Sequence, residues 1–70
     1  MTSAEFLFRL KRYARRQGLE FLYDPRHGKG SHGRVVLGDR ITAVKSGNKA
    51  LGTGLLHKML KDLGVDPGEF

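Results

Sequence analysis

The stretch Arg26-His27-Gly28-Lys29-Gly30-Ser31-His32-Gly33-Arg34 gathers glycine, histidine and cations in one short run. Glycines remove side-chain bulk and permit positive φ, so a polyanion can come close to the backbone. Histidine exchanges a proton near neutral pH. Lys29 and Arg34 flank His32 in sequence and suit a phosphate. Together these residues form a kit for binding a nucleic-acid backbone and for cutting it. RNA supplies its own nucleophile, the 2′-hydroxyl. A protein then needs only an acid or base that titrates near neutrality, and cationic donors for the charge developing on phosphate.

Other chemistries fit less well. Ser31 and His32 are neighbours, and neighbours on a strand point to opposite faces, so a serine nucleophile is badly aimed. Ser31 is better read as steadying the loop or donating to a phosphate. Gly28-Lys29-Gly30 lacks the Gly-Lys-Ser/Thr order that opens a nucleotide-binding helix. A metal site is not expected: there is no cysteine, no His-x-x-x-His spacing, and the carboxylates cluster apart from the loop. No cofactor is expected either. Of the other histidines, His27 reads as a loop residue and His57 as an exposed residue of a helix. His32 differs because it falls where the loop enters a strand.

Charge points the same way. Thirteen Lys and Arg against seven Asp and Glu give +6 in 70 residues. Residues 6–19 hold five cations and no acid, and residues 25–61 hold eight cations and only Asp39. Such clustering favours a polyanionic partner, although solubility alone also explains many basic domains. The absence of cysteine excludes a disulfide framework. No run approaches the roughly 18 apolar residues of a membrane span, and the opening residues lack the order of a secretory signal. A single domain over residues 1–70, in the cytoplasm and without a membrane partner, is the simplest expectation.

The elements that must position the loop follow from periodicity. Phe6, Leu10 and Tyr13, joined by Leu7 and Ala14, predict a helix from about Ser3 to Gln17. Thr2 and Glu5 form a capping box at its start and Gly18 closes it. Arg9, Arg12 and Arg16 share one side of this helix, Lys11 and Arg15 another. A solvated face explains them at least as well as an RNA contact. Leu19–Tyr23 predicts a short strand ended by Asp24-Pro25. Arg34–Leu37 and Arg40–Val44 predict a hairpin, with Gly38-Asp39 as a type II′ turn. A second helix follows, with Thr53 as N-cap, an apolar face of Leu55, Leu56, Met59, Leu60 and Leu63, and Gly64 at its end. Two amphipathic helices must bury their stripes on one face of the small antiparallel sheet, leaving the other face open.

With these residues in view, the chain resembles the HicA family of toxins from type II toxin–antitoxin systems, which are mRNA interferases. The resemblance is carried by Gly30-Ser31-His32, the turn at Gly38-Asp39, Thr42-Ala43-Val44, Lys49-Ala50-Leu51 and Gly54-Leu55-Leu56, with Leu60, Lys61 and Gly64 in the closing helix. It implies an α+β fold like a double-stranded-RNA-binding domain, of order α-β-β-β-α. It also implies that His32 is the catalytic residue and that a HicB-like antitoxin protein is the partner. Lys29, Gly30, Ser31, Arg34, Lys45 and Lys49 are then the expected RNA contacts. The chain departs from the family at Gly33, where many members carry a second histidine or a bulky residue, and in its shorter hairpin turn. The alternative reading is a non-catalytic double-stranded-RNA-binding module. A third is an interaction protein whose basic surface serves an acidic partner.

Overall fold

A computed structural model of the chain describes residues 1–25, 32–45 and 50–70, the side chains of His32 and Lys45 excepted. The elements run α1 (Ser3–Gln17), β1 (Phe21–Asp24), β2 (His32–Leu37), β3 (Arg40–Lys45) and α2 (Thr53–Leu63). This is the α-β-β-β-α order expected. Thr2 caps α1, its Oγ1 accepting from the Glu5 N–H at 3.2 Å. At the other end Gly18 takes φ 68° and its N–H reaches back to the carbonyls of Ala14 and Arg15. Gly64 ends α2 in the same way at φ 70°.

The N-cap of α2 differs from expectation. It is Gly52, with extended φ −68° and ψ 155° and no side-chain cap bond. Gly52 O already accepts from the Leu56 N–H at 2.9 Å, so Thr53 lies inside the first turn rather than before it. β1 is also displaced from the expected 19–23. The Leu19 N–H donates to Ala14 O at 2.9 Å, which makes Leu19 part of the closing turn of α1. At the other end Asp24 stays in the ladder opposite Arg34.

The three strands form one antiparallel sheet in the order β1-β2-β3. Leu37 pairs with Arg40 across the tight turn. Gly38, first of the two turn residues, has φ 61°, and no described non-glycine residue has positive φ, as the type II′ expectation requires. The β2–β3 ladder runs further than its apolar residues suggested, down to a pair between His32 and Lys45.

Alternation along the strands divides the sheet into two faces. Val35, Leu37, Thr42 and Val44 are buried on one of them. Against that face lie Phe6, Leu10, Tyr13 and Ala14 of α1 and Met59, Leu60 and Leu63 of α2, in one core cluster. Both helices therefore cover the same side. Leu55, expected on the apolar face of α2, is 40% exposed instead. The core is completed by Leu51 and Val65, and by Phe70, whose ring lies 5.4 Å from that of Phe6. On the uncovered face Leu22 and Ile41 are more than half exposed. No described helix is long and apolar enough to cross a membrane.

Candidate nucleic-acid interface

The open face of the sheet carries its residues in rows across the strands. Leu22, Val36 and Ile41 form one apolar row. Asp24, Arg34 and Ala43 form the next. Beyond them β1 has ended, and His32 pairs with Lys45 across β2 and β3. His32 thus has the strand parity of Arg34 and Val36, not that of the buried Val35 and Leu37. Two residues named from the sequence thirteen positions apart are direct cross-strand partners, and Arg34 lies two residues along the same strand. Lys29, Gly30, Ser31 and Lys49 lie outside the described residues.

One residue of this neighbourhood was missed. The sequence reading set the carboxylates apart from the loop, yet Asp24 is the last residue of β1 and stands opposite Arg34. The signal was Asp24 itself, which was read as a strand terminator because Pro25 follows it.

Gly33 has a steric reason to be glycine. A Cβ built at residue 33 would lie 2.8 Å from Asp24 O, 3.0 Å from Pro25 Cα and 3.0 Å from the Tyr23 ring. The Tyr23 ring and the end of β1 therefore occupy the space a side chain would need, directly beside His32. Gly33→Ala is expected to lower stability by about 1–3 kcal/mol, the usual range for overpacking. Because two of the three clashing atoms are main chain, a Tyr23→Ala background should not rescue it. Urea unfolding of the single and double variants measures both effects, and full rescue would mean that the ring alone sets the spacing.

A second concentration of cations lies on α1, on the helical side of the molecule. Among the described residues no group of three or more His, Asp and Glu side chains converges as a metal site. Comparison of the chain with family models, with curated proteins and with solved structures finds no match in any of the three.

Proposed function

We propose that the protein is a HicA-like toxin, a metal-independent endoribonuclease acting on mRNA in the cytoplasm, with His32 as its general acid or base. The observation that carries this reading is the pairing of His32 with Lys45 at the parity of the open face. That register sets residues 32 and 45 opposite one another, at the strand parity of Val36 and Ile41. The α-β-β-β-α order expected from the resemblance, and the net charge of +6, support it as well.

In the reaction proposed, a base removes the proton of the ribose 2′-hydroxyl. That oxygen attacks the adjacent phosphorus, the bond from phosphorus to the 5′ oxygen breaks, and the departing oxygen takes up a proton. The products are a 2′,3′-cyclic phosphate and a 5′-hydroxyl end. Lys29, Arg34 and the Gly30-Ser31 segment would hold the scissile phosphate, and Lys45 and Lys49 would extend the basic track. A HicB-like antitoxin belongs to the same proposal. The exposed Leu22 and Ile41, beside the candidate residues on an uncovered face, would give it an apolar surface to cover.

Incubation of the purified protein with mRNA in EDTA tests the reaction. New 5′-hydroxyl ends are expected at an undiminished rate, because no step uses a metal. Intact RNA, bound in a salt-sensitive way, would replace this reading with a non-catalytic RNA-binding module.

A further inference from the structure

Helix α1 is the second cationic surface, and its arrangement is costly for a merely solvated face. Lys11 and Arg15, and again Arg12 and Arg16, are like-charged pairs at i,i+4, which destabilise a helix. No acid between residues 6 and 19 offsets them. Solubility would be served as well by mixed charge.

Arg9, Arg12 and Arg16 line a concavity of about 210 Å³ together with Phe70. Two of the three guanidiniums are already held in position. Arg9 donates from Nη2 to Phe70 O at 3.1 Å and lies 4.9 Å from the centroid of its ring. Arg16 donates from Nη2 to Glu69 O at 3.1 Å. The main-chain carbonyl of Glu69 fixes the Arg16 guanidinium without cancelling its charge. Between them Arg12 has no hydrogen-bond or ion-pair partner among the described residues. Its guanidinium lies 5.9 Å from the ring centroid of Phe8.

Phe8 is 61% exposed. It lines an adjoining concavity of about 350 Å³ with Lys11, Arg12 and Arg15, so Arg12 joins the two hollows. Cations that track a backbone, interleaved with an exposed aromatic ring, are the means by which proteins hold single strands. A duplex would offer phosphates but no free base face to the ring.

We infer that the outer surface of α1 binds single-stranded RNA, with a backbone phosphate between Arg12 and Arg16 and an unpaired base against Phe8. This site lies on the helical side of the sheet, opposite the face proposed for cleavage, and it requires no cleavage. It shares with that reading only the class of ligand.

The test is fluorescence anisotropy with a labelled 12-residue oligouridine over a series of salt concentrations. The parent protein carries His32→Ala so that the strand stays whole. Phe8→Ala is expected to weaken binding roughly five- to hundredfold, the range for one lost base stack, with the salt slope unchanged. Arg12→Ala should weaken binding and make the slope shallower by about 0.7, the value for one phosphate contact on a single strand. Both residues are exposed, and matched urea midpoints confirm that the variants fold. A parent that does not bind oligouridine, or variants that bind as the parent does, would overturn the inference. So would displacement of the strand by polyglutamate with no effect of Phe8→Ala, which would mark the surface as one for an acidic protein. Cleavage is read separately in protein retaining His32. Active enzyme with these variants binding normally defeats the α1 site alone. Inactive enzyme whose binding needs Phe8 and Arg12 defeats the nuclease reading alone.

Discussion

His32→Ala is expected to reduce RNA cleavage by at least about 10²-fold, the lower end of what a placed proton-transfer group contributes, and to abolish growth arrest when the protein is produced in cells. The fold should be unaffected. Residues 32 and 45 form the outermost pair of the β2–β3 ladder. An unchanged urea midpoint would check this point. The magnitude separates a catalytic imidazole from a cation that merely binds. Loss of one phosphate contact weakens affinity and moderates its salt dependence, and saturating protein would restore the rate. Loss of the proton-transfer group lowers the rate at saturation. Single-turnover cleavage at rising protein concentration makes that distinction. Wild-type rates from the alanine variant would remove His32 from the mechanism.

Phe6→Ala is the largest stability change expected. Phe6 has no exposed surface and is first among the fully buried side chains by volume. Its ring meets Phe70 on one side and the core shared by the sheet and both helices on the other. Truncations of this kind cost about 3–5 kcal/mol. A domain of this length has in total roughly 3.5–10 kcal/mol, at about 0.05–0.15 kcal/mol per residue. The variant should therefore sit near its unfolding midpoint without denaturant, with a flattened urea transition and helical circular dichroism partly lost at ambient temperature. A loss below about 1 kcal/mol would show that the α1 stripe closes over the gap and that the core does not depend on this ring.

Most of the fold is legible in the chain because its signals are local. Phe6, Leu10 and Tyr13 recur at helical spacing, and Gly18 and Gly64 take the left-handed conformation that ends a helix. Gly38-Asp39 can hardly be anything but a two-residue turn between apolar runs. The misplacements share one cause. Leu19 has an apolar side chain that suits a strand, but its N–H is used to close α1. Thr53 is the usual type of cap, yet the backbone of Gly52 makes the turn one residue earlier. In both cases a main-chain hydrogen bond decided the boundary, and side-chain type does not report where such bonds go.

The candidate site divides along the same line. Gly30-Ser31-His32, Arg34 and the lysines were legible as residue types suited to phosphate chemistry. The opposition of His32 and Lys45, and of Asp24 and Arg34, depends on register. Register follows from which residues the sheet must bury, since a slip of one position would turn Val35, Leu37 and Val44 outward. The Arg9–Arg12–Arg16 hollow lay further from view. Its three cations can be counted on a helical wheel, but its wall is Phe70, which follows the last helix and reaches α1 only because the tail folds back onto Phe6.

By itself the sequence determined the order of elements, the glycines that close both helices, the hairpin turn and the positive balance, because each depends on residues within a few positions of one another. Tertiary structure alone decided that Phe70 walls the arginine hollow, why residue 33 has no room for a side chain, and which face of the sheet stays uncovered. Those depend on contacts between segments far apart in the chain, where the burial of apolar surface, not local preference, sets what meets what.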